Sequence, residues 1–159
     1  MSNPSKPVSV NISIFRKYFD FKGRATRSEF WWFQLFTLLI FGFTSLADTW
    51  LGYELFAENT PITTAGELLV LLPTLAVTSR RLHDIGWSGW LQAPIILIYL
   101  TYLDFLVPGF SENVVFEYVF NIAGLYWVII LLVCIKRGEA KFNKYGPNPK
   151  SPEMSEVFS

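Results

Sequence analysis

The chain has 159 residues, of which 52% are hydrophobic and 18% aromatic, and its formal net charge is zero. This apolar share exceeds what a soluble domain of the same length needs to fill a core, so an ordinary soluble enzyme is disfavoured. One Cys and one His cannot form an internal disulfide or a usual zinc site. We therefore expect no metal, no cofactor and no nucleic-acid partner.

The N-terminal region has no continuous apolar run and no small-residue cleavage site, so it does not resemble a removable signal peptide. Residues 1–10 are predicted to be flexible. A short amphipathic interfacial helix is predicted next, because apolar residues share one helical face. These residues are Ile12, Phe15, Tyr18 and Phe19. The alternation from Val8 to Ile14 also fits an extended segment, so both interpretations remain open for its first half.

Four apolar segments follow, each of about twenty residues, which is enough to cross a hydrocarbon core of ~30 Å at ~1.5 Å per helical residue. The predicted spans are about 30–51, 62–82, 87–107 and 116–135. They are apolar on every side, whereas helices of a soluble bundle need polar faces to meet water. The fold class is therefore all-α, an integral membrane protein with four transmembrane helices. A single domain covers residues 11–150, and residues 151–159 form a flexible tail.

The basic residues show how the chain is oriented. All thirteen lie before the first span, at residues 80–81 where the second span ends, or after the fourth, and four crossings bring these three regions to one side. The positive-inside rule assigns that side, with both termini, to the cytoplasm. The inner regions hold thirteen basic and six acidic residues, a net charge of +7, and the outer regions hold seven acidic residues.

The first span has a clear start signal. Thr26 and Glu29 have the T-x-x-E spacing of a capping box, in which each side chain accepts a hydrogen bond from the other residue's backbone N–H. Arg27 then lies in the first turn, where the helix dipole disfavours a cation by up to ~1 kcal/mol. This position predicts an anionic partner for Arg27.

Residues 80–90 join the second and third spans and are predicted to form a tight hairpin. If the helix continues to Asp84, then Arg80, His83 and Asp84 share one face. Gly86 is then the natural residue for the left-handed turn after the helix. The only His of the chain lies beside a carboxylate at a membrane boundary, which marks it as a candidate for function or for structure.

Asp84 is predicted to pair with an arginine that precedes the first span, either Arg24 or Arg27. A carboxylate at the membrane boundary is poorly solvated without a partner, and Arg27 opposes its own helix dipole. Arg80 is the local competitor, four residues before Asp84.

The third unusual segment, residues 138–149, ends with Tyr-Gly-Pro-Asn-Pro at 145–149. This end cannot be helical, because each Pro removes a backbone donor and pushes its predecessor towards extended geometry. An inert turn and a specific structural role both remain open for it. The predicted structural residues are Thr26, Glu29, Gly86, Gly89, Gly146, Pro147 and Pro149.

Three motifs stand out: FDFKGRATRSEFW at 19–31, RRLHDIGWSGW at 80–90 and NKYGPNP at 143–149. Through them the chain resembles the YhaH-like inner-membrane proteins of the domain of unknown function 805 family. The resemblance extends from about Phe15 to Pro149 and implies a bacterial multi-pass membrane protein, but no established activity. Trp87 differs from the family pattern, which has Arg or Lys there, and this difference weakens anion binding.

We favour a non-enzymatic protein that binds an anionic lipid head group, or a protein partner, at the cytoplasmic face. The candidate binding residues are Arg24, Arg27, Arg80, Arg81, His83, Asp84, Trp87 and Trp90. A small transporter or channel subunit that acts as an oligomer is an alternative, but no ionisable residue lies near the middle of a span.

A membrane enzyme that acts on a lipid phosphate is the other alternative. His83 would be its acid or base and Asp84 would orient His83. The chain has no nucleophile motif, metal motif or phosphate loop that supports such an enzyme.

Overall fold

The computed structural model describes residues 19–55, 60–96 and 114–150. Within these ranges α1 spans Arg27–Trp50, α2 spans Pro61–Asp84 and α3 spans Val114–Val133. Residues 89–96 add a 3₁₀ segment, and the ranges contain no strand. The predicted all-α class is confirmed for this part of the chain.

The first two predicted spans, 30–51 and 62–82, correspond to α1 and α2. Each helix has 24 residues and is apolar enough to cross a membrane. At ~1.5 Å per residue such a helix reaches about 36 Å. The predicted span at 116–135 corresponds to α3, which has 20 residues. That α3 crosses the membrane stays a prediction.

The predicted span at 87–107 does not begin as a regular α-helix. Residues 89–96 are in the 3₁₀ conformation, and residues 97–107 lie outside the described part of the chain. Pro94 accounts for the difference, because proline lacks an N–H donor and disfavours α geometry at Ala93. The structure corrects this stretch to a 3₁₀ segment, and the total of four crossings stays a prediction.

Other predicted segments also lie outside the described residues. They are the flexible N-terminus at 1–10, the interfacial helix up to Tyr18 and the tail at 151–159. Phe19, which ends the predicted interfacial helix, is in a turn and exposed.

Large apolar side chains cover the outside of the helices. Trp32 and Phe43 of α1 are 70% and 71% exposed, and Ile122 and Leu125 of α3 are 67% and 65% exposed. A soluble helix bundle would present polar residues at such positions. These faces indicate contact with lipid.

Asp48 connects the end of α1 to the beginning of α2 through hydrogen bonds. Its carboxylate is buried and accepts hydrogen bonds from the Thr60 hydroxyl at 2.7 Å and from the N–H groups of Ile62 and Thr63 at 3.1 and 2.7 Å. The first turn of a helix leaves such N–H groups without an intrahelical partner. Asp48 thus caps α2 from a different helix, at the dipole end that favours an anion.

Between their ends, α1 and α2 approach closely at Gly66. A Cβ atom there would lie 2.8 Å from Thr44 Cγ2 and 3.4 Å from Ile40 Cγ2. The absence of a side chain therefore permits this packing, as small residues commonly do between membrane helices.

Candidate functional site

The candidate site lies where α1 begins and where α2 and α3 end, which we call the motif end. The predicted cap of α1 is present there, because Thr26 Oγ1 accepts from the Glu29 N–H at 3.1 Å. The Glu29 carboxylate, however, accepts from Arg80 Nη2 at 2.8 Å instead of returning to the Thr26 N–H. The predicted capping box is therefore corrected to a single cap hydrogen bond, because an ion pair to another helix takes the carboxylate.

The end of α2 has the predicted left-handed turn. Gly86 has φ +80°, the Trp87 N–H donates to the Leu82 carbonyl at 2.9 Å and the Gly86 N–H donates to the His83 carbonyl at 3.1 Å. This pattern is a Schellman motif, which reverses the chain directly after a helix. The prediction for Gly86 is confirmed.

Asp84 is the centre of a buried ion-pair cluster, which we call the arginine cluster and define as Arg24, Arg81 and Asp84. Arg24 Nε and Nη2 lie 2.9 Å from Asp84 Oδ1, and Arg81 Nη1 donates to Asp84 Oδ2. The exposed fractions of the three side chains are 1%, 0% and 6%. The predicted pairing of Asp84 with Arg24 is thus present, and the local competitor is Arg81 rather than Arg80.

The two arginines of the cluster also bind the chain that follows α3. The N–H groups that do not bind the Asp84 carboxylate donate to backbone carbonyls. In both arginines, therefore, each of the three guanidinium nitrogens has a hydrogen-bond partner. Arg24 donates to the carbonyls of Glu139, Lys141 and Gly146, and Arg81 donates to those of Cys134, Lys136 and Ala25. The cluster therefore joins all three sequence motifs, and its arginine donors are already occupied within the protein.

The other two candidate arginines differ from each other in burial. Arg80 is buried, and it donates to the Asp20 carbonyl at 2.6 Å and to the Glu29 carboxylate. Arg27 is only half-buried, and its Nη1 lies 3.5 Å from the Ile135 carbonyl. It makes no ion pair with a carboxylate of the described residues, so its predicted anionic partner is not found in that part of the chain.

Two glycines leave room for carboxylates at the motif end. A Cβ atom on Gly138 would overlap the Asp84 carboxylate, and one on Gly86 would overlap the Glu139 carboxylate. The Glu139 N–H donates to the Asp84 carbonyl at 2.8 Å, which holds the chain after α3 against the end of α2. Gly138 is therefore required by space rather than by backbone conformation.

His83 does not interact with Asp84 in the way that the enzyme hypothesis expected. Its Nδ1 lies 3.1 Å from the Gly23 carbonyl oxygen, and its ring stacks on Tyr145 with centroids 3.7 Å apart and an angle of 8°. The Asp84 carboxylate is bound by arginines instead. Asp84 is thus not the residue that orients His83.

The predicted structural residues of the third motif form a turn on this assembly. The N–H of Asn143 and the carbonyl of Gly146 are 3.2 Å apart, the reverse bond is 2.9 Å, and Gly146 has φ +130°. Pro147 and Pro149 follow outside any helix, as predicted. The Asn143 amide also donates to the His83 carbonyl at 3.0 Å, so the turn is fixed to α2 rather than free.

A cavity of about 630 Å³ opens beside His83. Its walls include Phe21, Ser79, Trp90, Gln92 and Tyr145. A second cavity, of about 420 Å³, lies along α1 and α2 and is lined by Gln34, Glu67 and Trp127 among others.

Gly89 forms part of the wall of the larger cavity. A Cβ atom on Gly89 would overlap the Ser79 hydroxyl and would lie 3.1 Å from His83 Nε2. The predicted structural role of Gly89 is therefore to leave space between the 3₁₀ segment and α2.

The candidate tryptophans and two lysines lie on the surface of the motif end. Trp87 is 41% exposed and Trp90 is 83% exposed. The Lys136 ammonium lies 5.1 Å from the centre of the Trp87 ring, and the Lys144 ammonium lies 4.9 Å from that of Tyr145. This surface therefore carries two cation–aromatic pairs, Lys136 with Trp87 and Lys144 with Tyr145.

Several residues of the site had no assigned role in the sequence. Gly138, Glu139 and Tyr145 lie in a segment that the sequence marked as unusual, but their contacts come from the way that this segment folds back over α2. Gln92, which lines the larger cavity, was not singled out because it lies within an apolar stretch before Pro94. A polar amide within an apolar stretch was the signal available for it.

The comparison with known families decides the classification. The sequence profile of the family described as "Protein of unknown function (DUF805)" matches residues 18–147. The chain belongs to this family. No solved structure matches the chain.

Two curated relatives cover nearly the whole chain. Inner membrane protein YhaH of Escherichia coli (strain K12) is 30% identical over 139 residues, which cover 87% of this chain and 94% of that protein. Inner membrane protein YhaI of the same organism is 30% identical over 141 residues, which cover 87% and 93%. Both names agree with the location in a bacterial inner membrane that the sequence predicted.

Proposed function

We propose that the protein is a non-enzymatic inner-membrane protein whose motif end faces the cytoplasm and binds anionic phospholipid head groups. The observation that carries this proposal is a division among its basic side chains. Arg24 and Arg81 are buried and have internal partners at each guanidinium nitrogen, whereas Arg27, Lys136 and Lys144 have no ion pair with the described carboxylates. The second group has charge available for a ligand.

Two of the available cations, Lys136 and Lys144, lie beside aromatic rings. Trp87 and Trp90 are exposed at the same end, and tryptophan is enriched at the depth of lipid head groups. A basic residue near an anionic membrane surface contributes about 1 kcal/mol to lipid binding. The arginine cluster then has a positioning role, because it fixes the segments that carry Arg27, Lys136 and Lys144.

The binding test removes the available charges without touching the cluster. In the triple variant Arg27→Gln, Lys136→Gln, Lys144→Gln, the affinity for phosphatidylglycerol is expected to fall about 10- to 100-fold at low salt, from three charges of up to ~1 kcal/mol each. Native mass spectrometry of the purified protein with added lipid measures this change.

A charge-preserving triple variant, Arg27→Lys, Lys136→Arg, Lys144→Arg, is the matched control and should bind as the wild type does. Equal phosphatidylglycerol binding by the charge-removing and charge-preserving proteins would reject the proposal.

The orientation is tested separately with single cysteines in a Cys134→Ser background. Glu54→Cys, in the exposed segment between α1 and α2, is expected to react with a membrane-impermeant maleimide in intact cells, because that segment faces outward. Lys150→Cys is expected to react only after the cells are permeabilised. Labelling of Lys150→Cys but not of Glu54→Cys in intact cells would reverse the topology.

A further inference from the structure

Of the described residues that line the smaller cavity, only Glu67 of α2 is charged. It lies about 9 Å along the helix from Pro61, the first residue of α2, at ~1.5 Å per residue. The next two residues, Leu68 and Leu69, are 50% and 65% exposed, which indicates contact with lipid at the same level. An ionisable side chain within a membrane helix is rare, and it commonly marks a binding site.

The described residues provide no counter-charge for Glu67. They give it no ion pair, and no lysine or arginine occurs between Arg27 and Arg80 or between Arg81 and Lys136. Arg80 lies about 20 Å further along α2 at ~1.5 Å per residue. The Glu67 oxygens are also not among the unpaired polar atoms that the described part of the chain buries completely. The half-buried carboxylate is therefore open to a cation from outside the chain.

The rest of the cavity wall adds aromatic rings. Trp31, Phe41 and Trp127 line the same cavity as Glu67, and the other described wall residues are aliphatic or carry neutral polar groups. An aromatic ring attracts a cation through its electron-rich face. A carboxylate and several aromatic rings thus suit a cation that also has apolar surface. The cavity volume of about 420 Å³ lies within the range of small-molecule sites.

Other ligand classes fit this wall less well. Mg²⁺ and Ca²⁺ take about six or more oxygen ligands, whereas the described wall offers one carboxylate, the amide of Gln34 and the hydroxyl groups of Thr37 and Thr74. An anionic ligand would be repelled by Glu67 and would find no basic residue on the described wall. The wall therefore favours an organic cation over a metal ion or an anion.

We propose that the smaller cavity is a binding site for a lipophilic organic cation, with the Glu67 carboxylate as its counter-ion. The apolar body of the cation contacts the aromatic rings of the wall. Leu38, which also lines the cavity, is 65% exposed, so the site is reached from the lipid side. This site is independent of the proposed head-group function, which uses basic residues at the motif end.

The test uses two probes of the same shape and opposite charge, tetraphenylphosphonium and tetraphenylborate. Full-length protein in uncharged dodecyl maltoside micelles is titrated with each probe by equilibrium dialysis, and the amount bound by protein-free micelles is subtracted. We expect the wild type to bind tetraphenylphosphonium saturably, because the carboxylate attracts it within a cavity of low dielectric constant.

Glu67→Gln removes the charge at similar volume and should lower the affinity for tetraphenylphosphonium about tenfold or more, without lowering that for tetraphenylborate. Glu117→Gln is the matched control, because Glu117 is an exposed residue in the first turn of α3 and is not part of the cavity wall. This control should retain the wild-type affinity. Both variants should unfold at the wild-type denaturant concentration, since neither carboxylate has an ion pair with a described residue.

Four results would overturn the proposal. The first is no saturable binding of tetraphenylphosphonium by the wild type, and the second is an affinity that Glu67→Gln leaves unchanged. The third is an equal loss in Glu67→Gln and Glu117→Gln, which would assign the attraction to general surface charge. The fourth is a large loss of stability in Glu67→Gln alone, which would show that the carboxylate has a structural partner and is not a free counter-ion.

Discussion

Replacement of Asp84 by Asn is expected to destabilise the protein by about 3–5 kcal/mol, the cost of breaking a buried ion pair from one side. Asn keeps the shape of the side chain but removes the charge that both Arg24 and Arg81 require, and those arginines are 1% and 0% exposed. Denaturant unfolding in detergent micelles measures the change. Glu54→Gln, at an exposed position of the opposite end, is the control and should have no measurable effect.

A double-mutant cycle with Arg24→Gln isolates the pair. The loss in the double variant should be smaller than the sum of the two single losses, because the second change removes the charge that the first one strands. Additivity within ~0.5 kcal/mol would mean that the 2.9 Å contact contributes no coupling and that the two residues stabilise the protein independently.

Gly138→Ala is the second change with a large expected effect. The new methyl group would overlap the Asp84 carboxylate, so either the chain after α3 or the ion pairs must move. We expect a loss of about 3 kcal/mol or more, as for other disruptions of a buried polar network. Hydrogen exchange of the Glu139 N–H, which donates to the Asp84 carbonyl, should rise in parallel.

Gly124→Ala is the matched control for that change. Gly124 lies inside α3, and a Cβ atom there would meet no atom within 4 Å. Alanine is the better helix former, so this variant should be neutral or more stable by up to ~1 kcal/mol. Equal losses in both variants would show that flexibility of the backbone, rather than contact with Asp84, determines the effect at Gly138.

The features that the sequence predicted depend on the spacing of residues along the chain or on a charged residue that needs a partner of opposite charge. The cap at Thr26, the left-handed Gly86 and the pairing of Asp84 with an arginine near α1 all belong to this group. Spacing alone did not identify Arg81 as the local partner of Asp84, because residues three and four positions away lie on the same helical face. In the folded protein Arg80 donates to the Asp20 carbonyl and to the Glu29 carboxylate, so Arg81 is the local partner of Asp84.

The features that the sequence did not predict depend on backbone carbonyl groups, or on the segment after α3 that folds back over α2. Any residue carries a carbonyl group, so nothing in the sequence marked Glu139 and Lys141 as the acceptors of Arg24. The closeness of Gly138 to Asp84 likewise becomes visible only after the chain has folded back over α2. Pro94 can be read from the sequence, but the apolar composition of residues 89–96 led to the prediction of a transmembrane helix there.

The bonds from Arg24 and Arg81 to carbonyls of residues 134–146 have a consequence for biosynthesis. Both arginines and Asp84 are made early, whereas their carbonyl partners leave the ribosome only after α3 has been made. An unfinished chain therefore displays two guanidinium groups that the finished chain conceals. A copy that lacks residues 134–146 therefore differs from a complete one in the guanidinium donors that it leaves without these carbonyl partners.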